Sequence, residues 1–302
     1  MEATLGRGGY GHAIRCSAGG ELVVLKVDLR IYSVVWEAHI HAVLALRAER
    51  LATLGIGTPS ERCLLPPQGL LLYEGASVLV MPCANMGTLV DVINTASMLG
   101  SLLPAAEHEL LCALVASRML SALRLLHSCD VIHTDIKCDN WVFHTTRMST
   151  GAATLEVFLI DLGKAKDVKP SPDGCKTLFA GGGGVGSYAC PEMGQGVGWS
   201  RCADYYGLAA CLHQLIFFSP LETTHGRQGC GEFDGVVVPT AALKRYWNRP
   251  VWSRLYGLLL NSDDHTHGAL EALRGDIDMW LGRQQVQAAL GCCLAKICRV
   301  KK

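Results

Sequence analysis

The stretch "HTDIKCDNWVF" (residues 133–143) decides how the rest of the chain is interpreted. It holds a histidine, two aspartates, a lysine and an asparagine within eight positions, and it ends in a strongly apolar run. A carboxylate can orient a hydroxyl proton, a cation can offset developing negative charge, and an amide oxygen can bind a hard metal ion. Such chemistry needs further partners, and other motifs of the chain supply them.

The spacing of these polar residues is that of a phosphoryl-transfer catalytic loop. The pattern H-x-D-x-K-x-x-N is matched by His133, Asp135, Lys137 and Asn140. In this loop Asp135 would accept or orient the substrate hydroxyl proton, and Lys137 would offset charge on the transferred phosphoryl group. Asn140 would hold a magnesium ion, whereas His133 is expected to be a structural member of the loop rather than a base.

Three acidic residues follow in later motifs. In "LIDLGKAKD" (residues 159–167) an apolar strand ends at Asp161, which would bind magnesium that bridges phosphates. "YACPEM" contains Glu192, and "CADYYGLAAC" opens an apolar helix with Asp204. Taken singly, Glu192 could be a surface acid and Asp204 an ordinary helix N-cap. In this order they would close an activation segment and anchor the catalytic loop.

The N-terminal stretch "LGRGGYG" predicts a loop that contacts phosphates. Gly6, Gly8 and Gly11 have the spacing GxGxxG, which alone is a weak signal. A dinucleotide-binding fingerprint opens a helix, whereas here a second strand and a hairpin turn follow. We therefore predict a loop that folds over nucleotide phosphates.

Lys26 is predicted to pair with Glu37. Lys26 lies in the apolar strand "VVLKV", where an unpaired ammonium group would be costly to bury. Glu37 shares a helical face with Ile40, His41 and Leu44, so its carboxylate would point inward beside the sheet. The alternative is a snorkelling lysine and an exposed glutamate.

The composition is that of a folded domain. Half of the 302 residues are hydrophobic, and 27 basic residues balance 27 acidic ones, so no global nucleic-acid or membrane footprint is expected. The longest apolar run, "YGLAACLHQLIFF", is too short for a transmembrane helix. The fourteen cysteines are scattered without a CxxC pair and are interpreted as cytosolic or nuclear core thiols, Cys292, Cys293 and Cys298 included.

The patterning changes near Pro82. Before it, strand patterns surround one long helix, "VVWEAHIHAVLALRAERLATLG", with Gly55 as a plausible stop. After it, long apolar-faced helices dominate, the first within residues 107–129. Two short strands, "WVF" and "LEVFLI", are predicted to flank a polar loop of residues 144–154 that looks like a tolerated insertion.

These ordered motifs resemble those of the protein kinase family across nearly the whole chain. "IHTDIKCDNWVF", "LIDLGKAKD", "SVLVMPCANMGTLVDVIN" and "LAKICRVKK" are similar to the Bub-family mitotic-checkpoint kinases and their kinetochore pseudokinase relatives. The resemblance implies one kinase domain over residues 1–302 with an α+β, bilobal fold. Residues 1–82 would form a small antiparallel β N-lobe with one long helix, and residues 83–302 a larger, mainly helical C-lobe.

The resemblance also implies a function. It implies ATP and magnesium, phosphorylation of serine or threonine on a protein such as a histone tail, kinetochore and checkpoint partners, and a nuclear location at kinetochores. No direct nucleic-acid partner and no membrane partner are expected. Family members carry a long N-terminal region that binds checkpoint partners. This chain begins almost at the glycine loop, so it is expected to be an excised or incomplete C-terminal domain.

By the same resemblance, the adenine contacts lie after the fifth strand. Met81 would be the gatekeeper, and the backbone from Pro82 to Ala84 the hinge. Pro82 has no N–H, but its carbonyl can still accept from the adenine amino group while the N–H of Ala84 donates. Ordinary core packing would explain Met81 equally well, and the two interpretations do not exclude each other.

Two departures from the family pattern raise an alternative. Thr134 stands where many kinases have arginine, so control by phosphorylation of Thr177 is disfavoured. Val185 stands where serine/threonine kinases place a threonine that bonds the catalytic aspartate and lysine, and Ser187 is a substitute only if the glycine-rich loop shifts register. The alternative is therefore a weak or inactive pseudokinase that acts as a kinetochore scaffold.

A small-molecule phosphotransferase is a more remote hypothesis. Antibiotic and choline kinases share an HxDxxxxN loop and a bilobal fold. They replace the region of "CPEM" and "DYYGLAA" with a substrate-binding helical insert, and this chain has both stretches.

Overall fold

The first part of the chain forms a five-stranded antiparallel sheet in the order β1-β2-β3-β5-β4. The strands are β1 (Ala3–Arg7), β2 (Gly11–Ala18), β3 (Glu21–Asp28), β4 (Gly69–Leu72) and β5 (Ser77–Pro82). They come from a computed structural model that describes residues 3–7, 11–29, 32–55, 63–98, 104–147, 153–181, 186–225, 236–263 and 265–300. Gly19 and Gly20, with φ of +61° and +88°, make the predicted turn between β2 and β3.

One long helix, α1 (Tyr32–Thr53), packs against β3 and β5 of this sheet. Its buried residues are Val34, Glu37, Ile40, His41 and Leu44, which is the face that the sequence predicts. The helix ends just before Gly55, where φ is +68°, a conformation that glycine adopts without steric strain. The predicted stop is confirmed.

The remainder of the described chain is mainly helical, and α3 (Ala105–Ser128) lies at its centre. This helix contacts α5, α7 and α8 as well as α1, and most of its side chains are buried. The other helices are α2 (Leu89–Met98), α4 (Pro191–Gln195), α5 (Cys202–Phe217), α6 (Arg249–Leu260), α7 (Thr266–Leu281) and α8 (Gln284–Val300).

Helix α3 is long and apolar enough to cross a bilayer by length and composition alone. However, 83% of its most apolar 18-residue window is buried inside the protein. A helix that is surrounded by other helices also needs this composition, because its side chains are buried on all sides.

The described residues also form three two-stranded sheets. They pair β6 (Val131–Ile132) with β9 (Lys166–Asp167), β7 (Trp141–Arg147) with β8 (Ala153–Leu159), and β10 (Thr223–His225) with β11 (Val237–Pro239). The predicted polar loop of residues 144–154 is wrong in extent. Ladder pairs continue from His144–Glu156 to Arg147–Ala153, because threonines favour strands and Leu155 is buried on the inner face.

Some residues singled out in the sequence differ from their prediction or lie outside the described residues. Cys293 is buried as predicted, but Cys292 is exposed, because adjacent helical residues point to different sides of α8. Gly8, Val185 and the side chain of Cys298 lie outside the described residues. The division of the chain into lobes at residue 82 stays a prediction.

Candidate active site

Lys26 joins the sheet to two acidic residues from separate elements. It lies in the middle of β3, opposite Ala13 of β2 and Leu79 of β5. Its Nζ lies 2.5 Å from Oε2 of Glu37 on α1 and 2.5 Å from Oδ1 of Asp161, which follows β8. The carboxylate of Glu37 is 2% exposed, so the alternative of a surface glutamate is excluded by its position.

The electrostatics of this group follow from burial and mutual attraction. Burial alone would lower the pKa of Lys26, but the charges of Glu37 and Asp161 outweigh it and raise that pKa. Burial would raise the pKa of Asp161, and Lys26 reverses this and lowers it. Burial raises the pKa of Glu37 in spite of Lys26, because Asp161 adds a like charge. The ammonium group of Lys26 thus lies between two carboxylates, and the pKa of only one of them, Asp161, is lowered.

Two further bonds fix α1 against the segment that follows Asp161. The indole Nε1 of Trp36 donates to the carbonyl of Ala165 at 2.9 Å. Arg47 makes a bidentate pair with Asp167 at 2.7 and 2.8 Å and also donates to the carbonyl of Cys129. Because Glu37 lies on the same helix, these bonds hold its carboxylate at Lys26.

Asp135 is a buried carboxylate that contacts two lysines. Its side chain is 3% exposed, and its Oδ2 lies 3.0 Å from Nζ of Lys137 and 3.1 Å from Nζ of Lys164. Sequence reasoning identified Lys137 but missed Lys164, which lies three residues after Asp161. The sequence did contain a signal for it, because a lysine lies in the short turn after an aspartate. The motif itself specifies no residue type at that position.

His133 and Asn140 connect the predicted catalytic loop to the residue before Asp161. Nδ1 of His133 accepts from the N–H of Asp135 at 3.3 Å, so its Nε2 carries the proton and donates to the carbonyl of Ile160 at 3.0 Å. Asn140 donates from its side-chain amide to the carbonyl of Asp135 at 2.8 Å, and its own carbonyl accepts from the N–H of Ile160. The loop and the strand end thus share one hydrogen-bond network.

Asp204, in the first turn of α5, accepts hydrogen bonds from the backbone of this loop. Its two oxygens accept from the backbone N–H groups of His133 and Thr134, each at 2.8 Å. Nε2 of His127 lies 2.9 Å from the same carboxylate, which is fully buried. Burial would raise the pKa of Asp204, but the hydrogen bonds from His127 and from the N–H of His133 outweigh it and lower that pKa. Asp204 does not cap its own helix with its side chain, so the N-cap alternative is not what the structure has.

Two residues of the site have a left-handed backbone. Thr134 has φ of +69° and Asp161 has φ of +68°, a region that costs a non-glycine residue about 1–3 kcal/mol. The bonds from Asp204 hold Thr134, and its Oγ1 donates to the carbonyl of Lys164 at 3.1 Å. Thr134 therefore links the loop to the turn after Asp161, at the position where arginine is usual in the family that the motifs resemble.

The glycine loop is described only in part. Gly6 lies in β1 opposite Ala13, at an irregularity in the pairing of β1 with β2. At Gly11, an added Cβ would lie 2.6 Å from the backbone oxygen of Val27, so the approach of β2 to β3 requires glycine there. Gly8 lies outside the described residues.

The predicted hinge residues end the sheet and lead into the helical part. Met81 is buried in β5, and Pro82 closes that strand. After Ala84, the side chain of Asn85 bonds the backbone of Thr145 on β7 in both directions, and the N–H of Met86 donates to the carbonyl of Phe143. The segment is thus fixed at both ends.

Glu192 lies apart from this group. It is part of α4, whose first residue is Pro191, and its carboxylate lies near the thiols of Cys190 and Cys202. Among the residues that the structure describes, it contacts none of the side chains around Lys26 and Asp135. Its predicted role at the end of an activation segment stays a prediction.

Comparisons with known proteins agree on one family. The family described as "Protein kinase domain" matches residues 1–253. The chain is 29% identical over 283 residues to the Saccharomyces cerevisiae protein "Spindle assembly checkpoint serine/threonine-protein kinase BUB1", with 89% of this chain and 26% of that protein covered. It is 31% identical over 217 residues to the Mus musculus "Mitotic checkpoint serine/threonine-protein kinase BUB1", with 70% of this chain and 19% of that protein covered.

The comparison with solved structures concerns the fold. The crystal structure of the BubR1 kinase domain matches with a TM-score of 0.77 at 23% identity, and covers 99% of this chain and 84% of that chain. This confirms the predicted α+β, bilobal kinase fold. The chain spans about a quarter of the yeast relative and a fifth of the mouse relative. The chain belongs to the protein kinase family, and within it is similar to the Bub-family checkpoint kinases.

Proposed function

We propose that this chain transfers phosphoryl groups from ATP, with magnesium, to serine or threonine of a protein substrate. The observation that carries the proposal is the position of Lys26 between Glu37 and Asp161, 2.5 Å from each. In protein kinases the lysine–glutamate ion pair and the metal-binding aspartate must both be in place before transfer. Here Lys26 pairs with Glu37 and also contacts Asp161, which supports an active arrangement.

Asp135 would orient the substrate hydroxyl. It is held by Asn140 through its backbone and by Lys137 and Lys164 through its carboxylate. In the transition state negative charge spreads over the transferred group, and the two ammonium groups beside Asp135 would offset it. The backbone strain at Thr134 supports this assignment, because strain of this kind is kept where a site needs a fixed geometry.

The residues present fit a magnesium ion. Asn140 uses its amide N–H on Asp135, which leaves its amide oxygen available, and Asp161 binds Lys26 through one oxygen while its side chain is 37% exposed. Such oxygen ligands are those that magnesium takes. Held there by Asn140 and Asp161, magnesium would neutralise negative charge on the nucleotide phosphates.

The other nucleotide contacts are assigned from the sequence motifs. Gly6, Gly8 and Gly11 would cover the phosphates. Met81 would border the adenine pocket, and the carbonyl of Pro82 and the N–H of Ala84 would bind adenine. The buried position of Met81 at the end of β5 supports this placement, as do the bonds that fix the segment after Ala84.

The protein substrate and partners follow from similarity. The relatives named BUB1 are described as spindle or mitotic checkpoint serine/threonine-protein kinases. We extend that description to this chain: a checkpoint protein kinase domain, active in the nucleus at kinetochores, with checkpoint proteins as partners. A histone tail is the first substrate to test. The match to a protein kinase domain supports this over a small-molecule phosphotransferase.

Calorimetric titration of ATP, with and without magnesium, tests the nucleotide site. We expect binding that needs magnesium in the wild type and in Asp173→Asn, which changes an exposed aspartate after the site. Asp161→Asn should lose it, because the substitution removes an anionic oxygen ligand and the charge that pairs with Lys26. Equal binding in Asp161→Asn and the wild type would contradict the assignment of Asp161.

A pseudokinase scaffold is the second candidate function. It is favoured by Thr134, whose hydroxyl bonds the carbonyl of Lys164 where an arginine would otherwise recognise a phosphorylated loop. A scaffold would bind checkpoint partners equally well after Lys26→Ala and would show no nucleotide binding. Phosphoryl transfer by the wild type that Asp135→Asn abolishes would exclude a scaffold-only role.

A further inference from the structure

Outside the active site, two thiols and a carboxylate come together where α4 leads toward α5. The Sγ atoms of Cys190 and Cys202 and a carboxylate oxygen of Glu192 all lie within 4.8 Å of one another. Cys190 immediately precedes α4, Glu192 is its second residue, and Cys202 is the first residue of α5. The three donors therefore come from two separate stretches of chain.

Packing holds these donors in place. Cys190 is buried in a small cluster with Met193, Trp199 and Ala203, and Cys202 packs against that cluster. Trp199 exchanges two backbone hydrogen bonds with Phe179, at 2.8 and 3.0 Å, and its indole donates to the carbonyl of Gly181 at 2.6 Å. The three donors thus lie where the segment after Asp161 is hydrogen-bonded to the chain between α4 and α5.

A bound cation would compensate the negative charge of this cluster. Within the described part of the chain, Glu192 forms no ion pair with a lysine, arginine or histidine. Two thiolates and the carboxylate of Glu192, all within 4.8 Å of one another, would repel each other strongly unless a metal ion compensated the charge.

We propose that Cys190, Glu192 and Cys202 bind a thiophilic divalent cation, zinc. Two thiolates and a carboxylate are ligands that zinc takes, at about 2.3 Å to sulfur and 2.0–2.2 Å to oxygen. Tetrahedral ligands at those lengths lie about 3.5–4 Å apart, so side-chain shifts of about 1 Å close the site. Three protein ligands leave a fourth position for water.

The site does not depend on the proposed phosphoryl transfer, because it shares no residue with the group around Lys26 and Asp135. A bound ion would join the end of the segment that begins at Asp161 to the start of α5, the helix that carries Asp204. Magnesium would not replace zinc there, because it prefers oxygen ligands and binds thiolates poorly.

Cobalt substitution tests the site directly. Reduced, metal-stripped protein titrated with Co²⁺ should develop thiolate-to-cobalt charge-transfer absorption at one equivalent, in excess magnesium, and Zn²⁺ should displace it. Cys202→Ser and Glu192→Gln should weaken zinc binding by more than about tenfold, since even changes outside the ligand shell cost that much. Cys292→Ser, which removes an exposed thiol on α8, is the matched control and should bind as the wild type does.

A measurement on the unmutated protein guards against variants that fail to fold. X-ray absorption at the zinc edge should give two sulfur neighbours and lighter atoms in the zinc-loaded wild type. Zinc should also raise the Tm of the wild type and of Cys292→Ser but not that of Cys202→Ser. Absence of stoichiometric binding, or a zinc shell without sulfur, would overturn the proposal.

Discussion

At the scale of single residues, the structure adds Lys164 to the residues that were predicted for the site. Its Nζ lies 3.1 Å from the carboxylate of Asp135, although its side chain is 54% exposed. An exposed ammonium group contributes little to stability, since solvent screens it. Its effect is therefore expected in the transition state, where charge develops beside it.

Lys164→Ala should lower kcat by about tenfold, which corresponds to about 1.4 kcal/mol of transition-state stabilisation. KM for ATP should change little, because Lys164 contacts Asp135 and not the predicted adenine segment. Steady-state kinetics of phosphoryl transfer would measure both. Lys166→Ala is the control, since Lys166 is exposed on β9. An unchanged kcat in Lys164→Ala would show that its contact with Asp135 has no catalytic effect.

His41 makes a prediction about pH. Its side chain is buried, and burial first, then the charge of Lys26, lowers its pKa from 6.5 to about 4. The unfolded chain therefore takes up a proton near pH 6.5 while the folded chain does not. As pH falls from 6.5 toward 4, this group removes up to about 3 kcal/mol of stability.

Denaturant unfolding at several pH values would measure this effect. His41→Leu should make the free energy of unfolding fall less steeply between pH 6.5 and 5 than it does in the wild type. His39→Leu, which changes the exposed histidine two residues earlier, should keep the wild-type slope. Equal slopes in the wild type and His41→Leu would show that His41 is not the titrating group.

At the scale of elements, α5 supports the catalytic loop through a glycine as well as through Asp204. A Cβ added at Gly207 would lie 2.7 Å from the carbonyl oxygen of Ile136 and 2.9 Å from its Cβ. Ile136 lies between Asp135 and Lys137. The absence of a side chain at Gly207 therefore lets the loop pack directly on the helix.

Gly207→Ala should destabilise the fold by about 1–3 kcal/mol, because it overpacks a filled interface, and should lower activity by displacing Asp135. Gly257→Ala on α6 is the matched control. An added Cβ there meets no atom within 4 Å, so alanine should be neutral or stabilise the helix by up to about 1 kcal/mol. Thermal unfolding compares the two variants. A Gly207→Ala protein as stable and active as Gly257→Ala would contradict this account of the packing.

Elements differ in how well sequence predicts them. The face of α1 that carries Glu37 follows from helical periodicity, and the sheet strands follow from β-branched runs between glycine turns. The β7–β8 hairpin was predicted too short, because its outer residues are polar threonine, histidine and arginine. Exposed strand ends carry no apolar signal, and only pairing defines them.

At the scale of the whole molecule, Arg47 joins three regions. From α1 it pairs with Asp167 on β9 and donates to the carbonyl of Cys129 after α3. Its side chain and that of Asp167 are 15% and 10% exposed, so little water would replace the lost bonds. The position of α1, and with it Glu37, depends on this connection.

Arg47→Met should destabilise the protein by about 3 kcal/mol, since it leaves the carboxylate of Asp167 partly buried without its partner. Activity should fall as well, because α1 is then less firmly held at Lys26. Arg50→Met, which removes an exposed arginine from the same helix, should have a negligible effect. Chemical denaturation and a transfer assay would test both variants, and equal stability of the two would refute the connecting role of Arg47.

The family and the fold were predictable from the sequence, but the full set of residues around the site was not. The motifs around Asp135 and Asp161 have fixed spacings, so the sequence alone predicts phosphoryl-transfer chemistry. Lys164 and Arg47 were missed, because their partners lie far away in the chain and only folding brings them together. The clustering of Cys190 with Cys202 was missed for the same reason, since no CxxC spacing marks it.

The most direct test of the account is phosphoryl transfer itself. Purified wild-type protein is incubated with γ-labelled ATP, magnesium and a histone tail, and modified residues are located by mass spectrometry. We expect label on serine or threonine from the wild type and none above background from Asp135→Asn, with both proteins binding ATP. Binding of ATP without any transfer by the wild type, or equal transfer by Asp135→Asn, would contradict it.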